Sequence, residues 1–282
     1  MTLFLLTKNS KTMRTFLRWA GSKKQLLPIL ERYWSKEFSR YIEPFAGSSC
    51  LFFHLQPNAA LLGDINSELV VALRAIRLDV YRVIECLRRL PRSKADYYRV
   101  RSIKPLTMGT FEVAARFLYL NSLCFNGLYR TNIAGDFNVP YHPPGHKTVP
   151  EELLVEAAKR LRSATILSGD FESTVESAGR GDFVYLDPPF AVSRRRVFYE
   201  YGPRLFDNKD LIRLGACLQQ MDMRGAKFVV SYADCREARE LLSPWRTRRV
   251  RTRRNIAGFT GDRRVSYELL ASNITTMEPT NA

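Results

Sequence analysis

The sequence predicts an α/β fold, built on an open and mostly parallel sheet with helices on both faces. Three observations support this prediction. Apolar runs of strand length alternate with segments of helical period in both halves of the chain. A helical, loop-rich segment interrupts this alternation near the middle. The last two predicted strands follow one another without a helix between them. We therefore expect a doubly wound sheet that ends in an antiparallel hairpin and carries an inserted helical domain.

The first part of the chain predicts two strand–helix units. Residues 40–47 predict a short strand that ends in a turn, and residues 48–56 predict a helix. Residues 59–66 predict a second strand with an acidic residue near its end, and Ser67 can cap the helix that follows. Consecutive units of this kind are typical of the opening of a doubly wound sheet.

Residues 78–150 break the alternation and predict an insertion. Residues 110–129 have the period of one long apolar helix, whereas residues 130–150 are polar and contain Gly and Pro. The segment as a whole is too apolar to be disordered. We therefore divide the chain into a main domain, residues 1–77 and 151–282, and an inserted helical domain, residues 78–150.

Strand–helix alternation returns after the insertion. Residues 164–171, 182–190 and 226–232 predict strands, with helical segments before or between them. The last two strands are predicted at 245–252 and 263–272. Because no helix separates this pair, we expect an antiparallel hairpin at the end of the sheet.

The chain is strongly basic. Its net charge is +16, and arginine-rich runs lie at 193–197, 245–255 and 262–265. The planar guanidinium group of arginine matches phosphate oxygens in geometry. Three such runs in one half of the chain favour a polyanionic partner over the alternative, a solvated basic face.

Other features of the composition limit the class of protein. The five cysteines are scattered without a C-x-x-C pair, which argues against a disulfide framework or a cysteine zinc site. His142 and His146 lie in a Pro/Gly loop with no carboxylate or thiol nearby in sequence, so we expect no metal. No apolar run reaches the ~18 residues of a membrane span, and no secretory signal is evident. We expect a cytoplasmic monomer that does not bind a membrane.

Four candidate ligand-binding segments follow predicted strands: "EPFAG", "GDIN", "SGDF" and "DPPF". Ligands of open parallel sheets bind beyond the carboxyl ends of the strands. Gly47 allows close approach of the backbone, and Asp64 stands where an acid binds ribose hydroxyls in dinucleotide folds. The segment around Gly47 lacks the later glycines that cradle a pyrophosphate. A nucleoside without a diphosphate, such as S-adenosylmethionine, therefore fits better than a nicotinamide cofactor.

The segment "DPPF", residues 187–190, suits chemistry on an exocyclic amino group. Such a nitrogen is a poor nucleophile because its lone pair is conjugated into the ring. The carboxylate of Asp187 and the carbonyl of Pro188 can accept its two hydrogens, and Phe190 offers a face on which the base can stack. The target base must leave the duplex to reach such a pocket. The alternative is that Asp-Pro-Pro only ends a strand.

With these motifs in order, the chain resembles the Dam-type DNA adenine-N6 methyltransferases from about residue 14 to residue 273. "FLRWAGSKKQLL", "YIEPFAGSSCLFF", "LLGDIN", "FNGLYRTNIAGDFNVPY", "LDPPF" and "RRVSYELLASN" carry the resemblance. It implies a Rossmann-like methyltransferase sheet, S-adenosylmethionine as methyl donor, and double-stranded DNA as partner. Residues 1–77 and 151–282 would form the catalytic methyltransferase domain, and residues 78–150 the target-recognition domain.

The resemblance also implies roles for individual residues. Those of the cofactor pocket are Trp19, Lys23, Glu43, Phe45, Gly47, Asp64, Ile65, Asp170, Phe171 and Asp187. The catalytic segment is Asp187, Pro188, Pro189 and Phe190. The residues that would contact DNA are Arg18, Asn126, Leu128, Arg130, Asn138, Pro140, Lys147 and Arg254. Arg130 could bind a guanine with two hydrogen bonds, while Asn126 and Asn138 look like phosphate contacts.

The chain departs from the family pattern in the catalytic segment and in the cofactor pocket. Phe190 replaces the commoner tyrosine, and Ser22 and Ser49 replace common glycines. Two alternatives to adenine-N6 methylation stay open. One is methylation of cytosine N4, which shares the same amine chemistry. The other is a basic DNA-binding protein that keeps the fold without catalysis. The insertion is compatible with GATC as the recognition sequence, although related enzymes with other sites share it.

Overall fold

The structure is a computed structural model that describes residues 15–132, 134–142, 149–190, 199–200, 206–253 and 265–274. The strands are β1 (Arg40–Glu43), β2 (Ala60–Asp64), β3 (Arg130–Thr131), β4 (Ala164–Ser168), β5 (Asp182–Leu186), β6 (Tyr199–Glu200), β7 (Lys227–Ala233), β8 (Arg246–Arg253) and β9 (Val265–Ser272). The helices are α1 (Leu27–Leu30), α2 (Cys50–Leu55), α3 (Ser67–Arg88), α4 (Lys94–Ser102), α5 (Thr110–Leu123), α6 (Glu151–Leu161), α7 (Phe171–Val175), α8 (Asn208–Met223) and α9 (Arg236–Leu242).

Seven of these strands form one sheet in the order β4-β2-β1-β5-β7-β9-β8. The first five strands are parallel, and β9 runs antiparallel to both β7 and β8. The predicted α/β sheet with a C-terminal antiparallel hairpin is confirmed. The sequence did not indicate that β9 lies between β7 and β8. From β1 the chain continues outward to β2 and β4, whereas from β5 it continues outward on the other side to β7. The switch point of the sheet therefore lies between β1 and β5.

Both faces of the sheet are covered, which explains why its central strands are nearly all apolar. All five residues of β5 are buried. Because side chains alternate along a strand, Tyr41 and Tyr185 join a core on the face of α3, α5 and α6. Ile42 and Val184 join a second core on the face of α7 and α8.

Helix α3 connects the sheet to the inserted segment. Asn66 caps its start, where the side-chain Oδ1 accepts the Leu69 N–H at 3.1 Å. The helix breaks at Asp79, whose φ of −155° and ψ of 92° are not helical. Asp79 Oδ1 accepts the N–H groups of Tyr81 and Arg82, both at 3.1 Å, and so caps the second half. The predicted domain boundary falls beside this break, and the division into two domains stays a prediction.

A buried arginine of α5 links the inserted helices to α3 by hydrogen bonds. The Arg116 guanidinium donates to Glu68 Oε2 at 2.7 Å and to the backbone carbonyls of Val100 and Arg101. Only 2% of Arg116 is exposed. The hydrophobic core on one face of the sheet continues into the insertion, since Leu118 of α5 belongs to the same cluster as Tyr41 of β1.

Candidate active site

The carboxyl ends of β1 and β5 open into a cleft at the switch point of the sheet. The cleft encloses about 1110 Å³ of space free of protein atoms, part of it open to solvent. All of the residues predicted for the cofactor pocket and the catalytic segment line it: Trp19, Lys23, Glu43, Phe45, Gly47, Asp64, Ile65, Asp170, Phe171, Asp187, Pro188, Pro189 and Phe190. Sequence motifs more than 150 residues apart thus meet at one edge of the sheet.

Asp187 is held by two donors on one of its oxygens. Lys23 Nζ lies 2.6 Å from Oδ1, and Ser231 Oγ donates to the same oxygen at 3.2 Å. Burial raises the pKa of Asp187, and both Lys23 and Ser231 oppose that rise. The carboxylate side chain is 20% exposed, so it remains accessible from the cleft.

Lys23 is a buried cation between two carboxylates. Its side chain is 6% exposed, and Nζ lies 3.6 Å from Glu268 Oε2 of β9 as well as beside Asp187. Burial lowers the pKa of Lys23, but attraction to Asp187 and Glu268 outweighs burial and raises it overall. Lys23 Nζ also lies 5.6 Å from the centre of the Phe190 ring. Lys23 is therefore a charged part of the site.

Asp64 connects the glycine turn after β1 to the end of β2. Its Oδ2 accepts the Gly47 N–H at 2.8 Å, and its Oδ1 accepts the Asn66 N–H at 2.9 Å. Burial raises the pKa of Asp64 to about 6, although these backbone donors oppose the rise. Gly47 has a φ of +45°, and a Cβ there would lie 2.8 Å from Trp19 Nε1. A larger residue at Gly47 would therefore strain the backbone and displace the indole.

Glu43 provides a buried carboxyl group at the end of β1. It is 3% exposed, and no described residue donates to its Oε2. Burial raises the pKa of Glu43 well above its usual range. The nearby Tyr41 hydroxyl opposes the rise, and the carboxylates of Asp187 and Asp64 add to it. A buried carboxyl oxygen without a partner is costly, and a donor from a bound ligand would remove that cost.

Three phenylalanine rings form an apolar wall of the cleft. Phe45 stacks on Phe171 with ring centres 5.3 Å apart, and Phe206 lies 6.1 Å from each of them. Arg213 of α8 lies over the Phe171 ring at 4.9 Å, and its guanidinium donates to Asp170 Oδ1 at 2.6 Å. The carboxylate of Asp170 is therefore already engaged by a protein side chain.

Sequence reasoning missed several residues of the site. Phe206 and Asp210 line the cleft, while Ser231 and Glu268 hold Asp187 and Lys23. Ser231 and Glu268 become identifiable only once the strand order is known, because they lie on β7 and β9. Tyr185 was identifiable from sequence, since it lies two residues before Asp187 and on the same face of β5.

The residues predicted to contact DNA gather around the loop after α5, as far as the structure describes them. Asn121 holds the Arg18 backbone through two hydrogen bonds, at 3.1 and 2.7 Å. Arg130 Nε donates to Asn138 Oδ1 at 2.8 Å. Arg18, Asn126, Leu128, Arg130 and Asn138 are partly exposed, and Pro140 is exposed. Lys147 and Arg254 lie outside the described residues.

This loop also contacts the chain that follows the catalytic segment. β3 pairs with β6 in an antiparallel two-stranded sheet, with Arg130 opposite Glu200. Asn126 has a φ of 54°, in the left-handed region that asparagine tolerates better than most residues. The loop after α5 and residues 199–200 are thereby connected through backbone pairing.

Metal-binding clusters and membrane-spanning helices are both absent from the described residues. No group of three or more His, Cys, Asp or Glu side chains that could hold a metal ion occurs among them. Within the same residues, no helix is long and apolar enough to cross a membrane. His142 packs edge-on against Phe125, with ring centres 5.6 Å apart, and His146 lies outside the described residues.

Comparison with known proteins gives one consistent result. The family model of D12 class N6 adenine-specific DNA methyltransferases matches residues 19–256. A protein of Lactococcus lactis subsp. cremoris named type II methyltransferase M1.LlaDCHI is 35% identical over 279 residues, which cover 95% of this chain and 98% of the relative. The type II methyltransferase M.MjaIII of Methanocaldococcus jannaschii is 34% identical over 242 residues, with 78% and 84% covered.

A DNA adenine methylase of Salmonella typhi is 29% identical over 266 residues, with 93% of this chain and 95% of the relative covered. The match therefore extends over both parts of the sheet and the inserted segment. It favours methylation of adenine N6 over methylation of cytosine N4 and over a binding protein without catalysis. The chain belongs to the D12 class of N6 adenine-specific DNA methyltransferases.

Proposed function

We propose that the cleft at the switch point binds S-adenosylmethionine and that Asp187 and Pro188 hold the N6 amine of an adenine flipped out of duplex DNA. The observation that carries the proposal is the meeting of thirteen predicted residues in one cleft. The motifs that supply them lie at residues 19–65 and 170–190, and only the folded sheet brings them together.

The residues of the cleft fit S-adenosylmethionine. The unpartnered Glu43 Oε2 offers an acceptor for a buried amine, and the wall of Phe45, Phe171 and Phe206 offers stacking surface for a base. Asp64 lies near the glycine turn, where ribose hydroxyls are bound in related nucleotide folds. When bound, this cofactor supplies an electrophilic methyl group, so the protein need only position the two reactants.

The catalytic segment would act on the nitrogen lone pair. Asp187 and the Pro188 carbonyl accept the two N6 hydrogens and draw the amine toward a tetrahedral geometry, which frees the lone pair from the ring. Phe190 supports the flipped base, and Phe190 itself packs edge-on against Tyr232 at 5.3 Å. Extraction of the base costs a few kcal/mol, and stacking returns ~1–3 kcal/mol.

DNA recognition is proposed for the loop after α5. Arg130 would read a guanine, with Asn138 holding the guanidinium in plane through the bond that joins them. Arg18 would lie beside it, since its stem packs against Gly127, where a Cβ would lie 2.3 Å from Arg18 Cβ. The recognition sequence GATC, action as a monomer and location in the cytoplasm stay predictions. Single-molecule sequencing of DNA from cells that express the protein tests the recognition sequence.

The first prediction concerns Asp187. Asp187→Ala removes the acceptor for the amine, so we expect transfer of tritium from labelled S-adenosylmethionine to duplex DNA to fall at least a hundredfold, the order found when one transition-state contact is lost. DNA binding should change little. Mass spectrometry of the digested nucleosides from the wild-type reaction should show N6-methyladenine and no N4-methylcytosine.

Asp182→Ala is the matched control. Asp182 lies at the other end of β5 and pairs with Arg40 through two hydrogen bonds of 3.0 and 2.8 Å. Its loss should lower thermal stability but leave the methyl-transfer rate of the folded protein intact. Wild-type activity in Asp187→Ala would contradict the proposed catalytic role.

A further inference from the structure

A buried chain of hydroxyl groups lies behind Asp187. Ser231 Oγ is 3.2 Å from Asp187 Oδ1 and 3.0 Å from Tyr185 Oη. Ser231 is fully buried, and Tyr185 is 1% exposed. The strand register explains the arrangement. Leu186 of β5 lies opposite Val230 of β7, so Asp187 and Ser231 are the next pair and point to the same face of the sheet.

The direction of the chain follows from counting donors. A serine hydroxyl carries one hydrogen, and a carboxylate can only accept. Ser231 therefore donates its hydrogen to Asp187, and the Tyr185 hydroxyl must donate to Ser231. Burial raises the pKa of Tyr185 well above its usual range, which keeps the phenol protonated as the terminal donor.

The two oxygens of Asp187 differ in their surroundings. Oδ1 receives both Lys23 Nζ at 2.6 Å and Ser231 Oγ. In the part of the chain that the structure describes, no side chain or backbone N–H donates to Oδ2. The carboxylate side chain is nevertheless 20% exposed to the cleft. Oδ2 is thus the oxygen that can accept a hydrogen bond from a ligand.

We propose that Ser231, held by Tyr185, is a positioning residue for methyl transfer, which fixes the Asp187 carboxylate through Oδ1 so that Oδ2 receives the N6 amine. This inference rests on the proposed role of Asp187. The terminal torsion of an aspartate is broad, so a carboxylate held only by a flexible lysine would sample many orientations. Lys23 reaches Oδ1 from outside the sheet, and a hydroxyl from within strand β7 adds a second, independent donor to the same oxygen, so that the two together restrict its orientation.

The hydrogen bond from Ser231 also keeps Asp187 ionised, the form in which both of its oxygens can accept hydrogen bonds. Burial raises the pKa of Asp187, and Lys23 and Ser231 counter that rise. Other groups around Asp187 also influence its protonation. The titratable and charged groups that face this site are Lys23 before α1, Glu43 of β1, Cys50 of α2, Tyr185 of β5 and Glu268 of β9. Loss of the Ser231 donor should therefore raise the pKa of Asp187 while these groups stay in place.

The test is the pH dependence of single-turnover methyl transfer, with cofactor and duplex DNA both saturating. For Ser231→Ala we expect a rate roughly ten- to a hundredfold lower at neutral pH, the size associated with one hydrogen bond to a charged group. The acid limb of the profile should move to higher pH, and the rate should recover in part at alkaline pH. A serine with only a structural role would lower the rate equally at every pH, and that result would overturn the inference.

Tyr185→Phe provides a second variant that keeps the ring and removes only the hydroxyl. It should move the acid limb in the same direction by a smaller amount. Because Tyr185 acts through Ser231, the double variant should behave like Ser231→Ala alone. Additive losses, or an unshifted profile in Tyr185→Phe, would contradict the chain, even if Ser231→Ala does not fold.

Controls separate the inference from the proposed function. Ser272→Ala removes another buried serine hydroxyl, which donates to the Phe228 backbone carbonyl at 2.5 Å, and should leave the pH profile unchanged. Asp187→Ala tests the proposed function itself. If Asp187→Ala is inactive and Ser231→Ala matches the wild type at all pH values, only the inference fails. If Asp187→Ala is fully active, both fail.

An NMR titration of the Asp187 carboxyl carbon measures the pKa of Asp187 directly in the cofactor-free protein. The signal is assigned by its loss in Asp187→Asn. We expect a higher pKa of Asp187 in Ser231→Ala than in the wild type.

Discussion

Glu43 is the residue of the cleft whose protonation should respond most to a ligand that carries a positive charge. Its Oε2 has no donor among the described residues, and burial raises the pKa of the carboxyl group well above its usual range. Glu43 therefore holds its proton in the free protein at pH values where an exposed glutamate is ionised. An ammonium group placed beside it would favour the carboxylate and displace that proton.

We expect S-adenosylmethionine binding to release a proton from Glu43, so that affinity rises with pH up to the raised pKa and then levels off. Glu43→Gln cannot ionise, so this release should vanish and affinity should fall roughly ten- to a hundredfold, the order of one charge-assisted hydrogen bond. Calorimetric titration in two buffers of different ionisation enthalpy counts the protons. Equal proton release in the wild type and in Glu43→Gln would rule out Glu43 as their source.

The pKa of Glu43 also has a consequence for stability in the absence of a ligand. A carboxyl group whose folded pKa is raised binds its proton more tightly in the folded than in the unfolded state. Its favourable contribution is complete below the unfolded pKa and is lost as the pH rises through the folded pKa. Asp64, with a pKa of about 6, acts in the same direction. The cleft thus lowers the stability of the free protein near neutral pH, and ligand binding can offset this cost.

Residues at the carboxyl ends of strands were predictable, whereas residues that depend on strand register were not. Glu43, Asp64 and Asp187 each follow or end a predicted strand, and parallel strands bring such ends together. Ser231 lies within an apolar strand, and its place beside Asp187 depends on Leu186 lying opposite Val230. A single sequence contains no signal for that alignment, because a shift by one residue would turn Ser231 to the other face.

At the level of elements, α3 shows how one helix serves two parts of the chain. The helical period of residues 67–77 was predictable, but the N-cap residue was not. Ser67 was expected to cap the helix, whereas Asn66 does so by accepting the Leu69 N–H. The helix also continues beyond the predicted end, because Asp79 restarts it after the break. β6, with two residues, is too short to give any periodicity, and its pairing with β3 is a tertiary contact.

The break in α3 provides a stability test. Asp79→Ala removes the acceptor for the N–H groups of Tyr81 and Arg82, so the free energy of unfolding should fall by about 1 kcal/mol, the usual cost of a lost N-cap. Asp79→Asn should keep most of that stability, since asparagine caps as well as aspartate. Urea denaturation of both variants measures the difference. Equal stabilities of the alanine and asparagine variants would show that the capping bonds contribute nothing.

At the scale of the whole molecule, the net charge of +16 suits a polyanionic partner. The position of each arginine on the fold decides whether it can reach DNA. β8 forms the edge of the sheet, and Arg246, Arg248 and Arg251 are exposed on it. Arg249 is different, because it pairs with Asp234 at 2.6 Å and lies 3.7 Å over the Tyr267 ring.

Strand geometry sends these arginines to opposite faces of the sheet. Arg246 and Arg248 share the face of Val250, which packs in the core that also contains the helices of the insertion. Arg251 leaves on the other face. If the insertion reads DNA, the duplex lies on its side of the sheet, so Arg246 and Arg248 can reach phosphates and Arg251 cannot.

We therefore expect the double variant Arg246→Ala with Arg248→Ala to weaken DNA binding and to flatten the plot of log affinity against log salt concentration. Each phosphate contact contributes up to about 0.9 to the slope, because binding releases condensed counterions. Arg251→Ala and Arg249→Ala each remove one positive charge from the opposite face, and each should leave the slope unchanged. Fluorescence anisotropy with a labelled duplex over a range of salt concentrations measures all three. If Arg251→Ala changes the slope by half as much as the double variant does, then charge alone, and not the face of the sheet, governs DNA binding.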